Sequence, residues 1–332
     1  MGADDLRALG TPAALEVAKP QPFQVPPLPV GLQGIVDQLA ERSPKLVLCM
    51  GKDGVGKTTV AQAIAVGLTR AGKPVHLSTT DPAANLNVAL EAEGKEVSAI
   101  DPEAAVDKYR AQVLATKGKT LDADGYAQLE ENLRSSCTEE VAVFREFSSV
   151  VAEADEKWVV LDTAPTGHTL LLLDATGSYH RELQRQSGES VGASTLKRLQ
   201  NAAVTFPIVV TLPETTPVFE AQTLANDLKR AEITPWAWVI NQSLLAASTS
   251  SPFLEAHCQS QAKSIKLACD GKHAQIVQFP YVLDDVGSVE GLTRFLGENH
   301  VLTCGHEQAG GVERQHRPFF FAVRPGVVGS RH

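Results

Sequence analysis

The sequence predicts an α/β fold, a doubly wound, mostly parallel sheet with helical insertions. Two observations predict it. Short apolar runs of strand length recur along the chain, separated by stretches long enough for a helix. That alternation builds parallel sheets covered on both faces. One run, Lys-Leu-Val-Leu-Cys-Met at 45–50, leads straight into a glycine-rich loop and then into an apolar-periodic stretch. Strand, loop and helix in that order form the unit from which such sheets are wound.

Taken in order, residues 1–30 read as a proline-rich linker, because Pro20, Pro22, Pro26, Pro27 and Pro29 break any element. A helix is expected from about Leu32 to Glu41. The first strand, 45–50, is apolar enough to be buried on both faces. After the loop, Val60, Ala63, Ile64, Val66, Gly67 and Leu68 carry helical periodicity that stops at Gly72. Further strands are expected at 74–79, 157–162, 206–212, 237–241 and 275–279, with helices between them, such as 217–230. Two polar stretches, about 100–136 and 177–204, break the alternation and read as helical insertions over the loop-bearing edge. The main domain is therefore placed at 31–298. Residues 299–332 read as an irregular tail, disordered or loosely attached, whose one bulky apolar cluster is Phe319 to Phe321.

Composition narrows the classes. A chain of 332 residues with 43% hydrophobic content can bury a sizeable core. A net charge of −9 without a long basic run argues against a nucleic-acid partner. No apolar stretch has the length of a membrane span, and no secretory leader is legible. The five cysteines (Cys49, Cys137, Cys258, Cys269, Cys304) are scattered and form no C-x-x-C pair, which fits a reduced, cytoplasmic protein.

Residues 51–59 read Gly-Lys-Asp-Gly-Val-Gly-Lys-Thr-Thr, the phosphate-binding loop of P-loop NTPases. Gly51, Gly54 and Gly56 permit the tight turn, and the N–H groups from Val55 to Thr59 cradle phosphate at a helix N-terminus. Lys57 supplies charge to the β and γ phosphates of ATP, and Thr58 a hydroxyl to Mg²⁺. Lys52 marks the deviant version of the loop, whose owners work as dimers or paired halves. Asp53 stands where that loop carries glycine. Asp81, in Ser78-Thr-Thr-Asp-Pro, follows a strand and can orient an attacking water or waters on Mg²⁺, or cap the next helix. Asp162 ends an apolar strand, the usual place for an acid that supports Mg²⁺. Asn241 ends another, where its amide can read a base edge.

Together these segments resemble the arsenical pump-driving ATPase family. The likeness extends through Asp-Thr-Ala-Pro-Thr-Gly-His-Thr at 162–169, Leu-Leu-Leu-Leu-Asp-Ala-Thr-Gly at 170–177 and Val-Thr-Leu-Pro-Glu-Thr-Thr-Pro-Val at 210–218. Leu133-Arg-Ser-Ser-Cys-Thr-Glu-Glu140 looks like the metalloid-binding segment of the second half of the bacterial, two-halved enzyme. The resemblance implies an ATPase stimulated by arsenite or antimonite, As(III) or Sb(III), that powers a membrane efflux pump from the inner face of the plasma membrane. It implies a missing first half or a homodimer partner, with Lys52 reaching across the interface. It also implies catalytic roles for Lys52, Lys57 and Asp81, and metalloid ligation by Ser135, Cys137 and His168.

The chemistry of these residues bears on that implication. Trivalent arsenic and antimony prefer thiolates. Cys137 precedes an expected helix capped by Thr138, with Val141, Phe144, Phe147 and Val151 on its buried face. A helix N-terminus lowers a thiol pKa, while Glu139 and Glu140 oppose that. A lone cysteine can equally be a small buried hydrophobe, and His168 a hydrogen-bonded core histidine. Two other readings stay open. A tail-anchored membrane-protein targeting ATPase needs a large, often Met-rich groove, and this chain has two methionines and a polar stretch from Arg181 to Gln200. A nucleotide-binding half with impaired catalysis is favoured by Asp53.

Overall fold

The computed structural model describes residues 28–81, 96–163, 191–246, 252–270, 275–280 and 288–296. The expected tail, most of the expected linker and residues 177–190 of the second expected insertion lie outside them.

Seven strands form one sheet: β1 Leu46–Met50, β2 Val75–Thr79, β3 Glu96–Ala99, β4 Trp158–Asp162, β5 Thr205–Thr211, β6 Ala237–Ser243 and β7 Gln275–Pro280. Their order is β3-β2-β4-β1-β5-β6-β7. Every described pairing is parallel, as the sequence predicts. β1 is central, between β4 and β5, and all five of its residues are buried. The sequence does not predict β3: Glu-Val-Ser-Ala carries no apolar run, and it pairs on one side only, with β2.

Alternation along β1 divides the core. Leu46, Leu48 and Met50 face a layer made by α3 (Pro102–Thr116), α5 (Ser136–Ala152) and α7 (Thr215–Arg230). Val47 and Cys49 face α1 (Gln33–Ala40), α2 (Lys57–Arg70) and α9 (Val289–Leu296). On α5 the expected apolar face, Val141, Phe144, Phe147 and Val151, is buried. Its cap differs from the expectation. Ser135 occupies the N-cap position, because Thr138 already lies inside the first turn and its hydroxyl donates to the carbonyl of Asn132 at the end of α4 (Ala123–Asn132). Burial pushes the thiol of Cys49 well up, and the nearby charge of Asp162 adds to that, as suits the core position expected for it.

Residues 28–32 add to the far edge of the sheet. Val30 bridges Gln278 of β7 in parallel, and Leu32 donates its N–H to the carbonyl of Leu296. At the opposite edge, away from the strand ends that carry the glycine loop, an ion-pair network joins β2, β3 and β4. His76 is buried, with Nδ1 2.7 Å from Glu153 and Nε2 2.8 Å from the Ser98 hydroxyl. Lys157 bridges Glu96 at 2.6 Å and Glu153 at 3.1 Å. The lysine thus supplies the cation that these two carboxylates need.

Burial alone would raise Glu153, but hydrogen bonds from His76 and Lys157 outweigh it and hold the carboxyl below its ordinary range. A depressed carboxyl adds stability that is complete at neutral pH and is lost as pH falls through the folded-state pKa. Glu153→Gln should therefore cost about 1 kcal/mol at pH 7, allowing for solvent screening. In urea unfolding the gap to the unmodified chain should close below about pH 4.

Candidate functional site

The carboxyl ends of β1, β2, β4 and β6 place the expected phosphate-loop residues, Asp81, Asp162 and Asn241 on one edge of the sheet. Crevices outside these strand ends are where open parallel sheets bind ligands. Gly51 leaves β1 so close to β5 that a Cβ would run into the backbone carbonyl of Val210. Gly56 caps α2 at φ 91°, in the left-handed region, and a Cβ there would collide with the amide of Asn241. Gly56 has no side chain with which to cap α2, and among the described residues the first-turn N–H groups remain for an anion.

Lys57 is buried to 5% exposure, and its ammonium donates to the carbonyl of Lys52 at 3.0 Å. It also lies 3.5 Å from the carboxylate of Asp53, whose side chain is 68% exposed. The non-glycine residues with positive φ, among those described, are Glu232 and Gln242, so Asp53 carries no left-handed strain. Lys52 pairs at 2.6 Å with Glu220 on α7 of its own chain. Nothing local in the sequence marks Glu220, which lies 168 residues away.

Asp162 is fully buried at the end of β4, opposite Cys49 of β1. Its Oδ2 accepts a 2.5 Å hydrogen bond from the Thr58 hydroxyl and a 3.5 Å bond from Thr79. Its Oδ1 has no hydrogen-bond partner among the described residues. Burial lifts this carboxyl to about 6; the Thr58 bond and the charge of Lys57 work against the rise, and Asp81 adds to it. A buried carboxylate with one idle oxygen beside a threonine hydroxyl is a hard oxygen donor set that fits Mg²⁺. Asp81 is set by its neighbour, its N–H donating to the Thr79 hydroxyl at 3.0 Å.

Asn241 holds the loop from the side. Its Nδ2 donates to the Val55 carbonyl at 2.9 Å, and its Oδ1 accepts from the N–H of Gln242 at 3.0 Å. An amide has two donors and two acceptor positions, so among the described residues one of each remains. Of the expected metalloid ligands, Ser135 contacts Thr138 at 3.1 Å, Cys137 falls in the first turn of α5, and His168 lies outside the described residues.

A glycine loop feeding an uncapped helix N-terminus, beside a buried acid at a strand end, defines a P-loop nucleotide-binding α/β protein. Residues 44–201 match the family profile of anion-transporting ATPases. Over 277 residues the chain is 47% identical to an arsenical pump-driving ATPase of Escherichia coli, covering 82% of this chain and 47% of that one. It is 31% identical over 286 residues to a candidate arsenical pump-driving ATPase of Aquifex aeolicus, covering 74% of this chain and 95% of that one. It is also similar to the ATPase get3 of Schizosaccharomyces japonicus, at 27% identity over 318 residues, 81% of this chain and 95% of that one. The chain belongs to the arsenical pump-driving ATPase family. It spans about half the length of the Escherichia coli relative.

Proposed function

We propose that this chain hydrolyses ATP with Mg²⁺ as one half of a paired ATPase, and that arsenite or antimonite stimulates it to drive efflux through a membrane pump. The observation that carries the ATPase reading is the idle Oδ1 of buried Asp162 beside Thr58, at the same strand ends as Lys57. Thr58 and Asp162 would hold Mg²⁺ there. When bound, it neutralises charge on the β and γ phosphates. The N-terminus of α2 binds phosphate oxygens, and Lys57 turns its ammonium from Lys52 and Asp53 to the same group. Asp81 orients the attacking water.

The paired arrangement rests on Lys52. To reach a partner's nucleotide it must leave Glu220, and half of its side chain is already exposed. A second copy of this chain or a first half would supply that nucleotide. A peripheral place at the inner face of the plasma membrane would follow from the pump; no helix among the described residues is long and apolar enough to cross a membrane.

The metalloid reading rests on Ser135 and Cys137 at the start of α5, with His168 as a third ligand. One thiolate cannot make a three-sulfur site, so further sulfurs must come from the partner.

A second reading, a half with weakened nucleotide binding, is favoured by the Asp53 carboxylate beside Lys57.

Asp162→Asn, which keeps the shape but not the charge, should lower ATP turnover at saturating Mg²⁺ by about a hundredfold or more. Unchanged turnover in a well-folded variant would remove the role given to Asp162, and an unmodified chain that turns over no ATP would remove the ATPase reading. Asp53→Gly should tighten ATP binding about three- to tenfold by calorimetry, since one nearby like charge is lost at a solvated site. Equal affinities would show that the carboxylate does not oppose the phosphates. The chain alone should bind antimonite weakly, and a tight, stoichiometric titration would contradict the need for a partner's sulfurs.

A further inference from the structure

β6 does not run regularly to its end. Ile240 pairs with Gln278, and the next pairing is Ser243 with Pro280, so β6 advances three residues while β7 advances two. The extra residue makes a bulge at Asn241 and Gln242, and Gln242 takes a φ of 57°. Bulges beside functional sites re-aim a side chain, and this one turns Asn241 onto the Val55 carbonyl of the phosphate loop.

A backbone with one unpaired residue and a non-glycine in the left-handed region does not hold its own shape. Gln278 supplies the hold. Its Oε1 accepts a 3.0 Å hydrogen bond from the hydroxyl of Ser243, just beyond the bulge. Both side chains are buried, at 8% and 0% exposure. The Ser243 hydroxyl in turn accepts the N–H of Ala246 at 3.3 Å. Gln278 is itself fixed by the segment at 28–32. Its Nε2 donates to the Leu28 carbonyl at 3.4 Å, its backbone N–H to the Pro29 carbonyl, and its carbonyl accepts from Gly31.

We propose that Gln278 is a positioning residue for base recognition: its side-chain amide pins the bulge that aims Asn241. This rests on the reading of Asn241 as the amide that reads the base. Loss of the pin leaves Asn241 free to leave Val55, and its remaining donor and acceptor then miss the base edge. The phosphate contacts of α2 do not pass through Asn241, because the first turn of that helix is tied to β4 by the bond from Thr58 to Asp162.

Affinities of fluorescent ATP and GTP analogues for the full chain test this, with Asn241→Ala, Gln278→Leu and Ser243→Ala compared, each checked for folding by circular dichroism. The two pin variants remove the same hydrogen bond from opposite ends, so one serves if the other fails to fold. The expected result is a preference for ATP in the unmodified chain that Asn241→Ala abolishes. Either pin variant should cut it about fivefold or more, as expected for one lost buried hydrogen bond. Turnover at saturating ATP should stay within about twofold, because the phosphate contacts persist. If Asn241→Ala loses the preference and both pin variants keep it, or weaken both nucleotides equally, the proposal for Gln278 is overturned while the Asn241 reading stands. If the unmodified chain shows no preference, or Asn241→Ala retains it, the Asn241 reading fails and the proposal falls with it.

Discussion

The hydrogen bond from Thr58 to Asp162 joins the first turn of α2 to the end of β4, and the arrangement of the site depends on it. It exists because β1 and β4 are neighbours in register, Cys49 opposite Asp162, so that the chain leaving β1 must pass the acid. A second tie comes from Thr163, whose hydroxyl and N–H both donate to the Cys49 carbonyl. Loop and acid strand are thereby one rigid piece. Within it the Asp162 carboxyl is dry enough that its pKa rises to about 6, a cost that only a cation or a hydrogen-bond donor offsets. Thr58 offsets it at one oxygen, and among the described residues the other has no partner. The fold therefore holds an acid in a state that a divalent ion improves.

The rest of the core explains why that piece stays in place. β1 is covered by both helical layers, so no residue of it meets water. A central, doubly covered strand is also what a sequence displays most openly, as an unbroken apolar run. Hence Leu46–Met50, the loop after it and Asp162 are all legible: each is a local string whose chemistry and neighbours lie within a few residues.

What is not legible depends on pairs that are distant in the chain. The edge strand β3 has one neighbour and no apolar run, so its residues look like a loop until His76 and Glu96 are seen side by side. Glu220 acquires meaning only opposite Lys52, and Gln278 only beneath the bulge at Asn241. Ser135 displaces the expected cap, Thr138, because the preceding helix ends close enough to claim the threonine hydroxyl. In each case the residue type is visible and the partner is not. Side-chain chemistry is local, whereas the partner that gives it a role is fixed by topology.

Asp53 shows how such a partner changes what a residue does. In the sequence it is a carboxylate in a loop built for phosphate, and at close range in a dry site such a charge would exclude a nucleotide. In the structure the side chain is mostly in water and its near contact is the ammonium of Lys57. With its carboxylate in water, an ion pair at 3.5 Å is worth about 1 kcal/mol or less, although the lysine is buried. A triphosphate brings several negative charges to a lysine that is otherwise buried, and it arrives with α2 behind it. It therefore wins Lys57 from Asp53 at a small cost. The displaced carboxylate remains in high dielectric, where its repulsion of the phosphates is of the same small order. Both terms weaken binding and neither is large enough to prevent it. On the proposed ATPase reading, the irregular residue would tune the loop's affinity without disabling the loop.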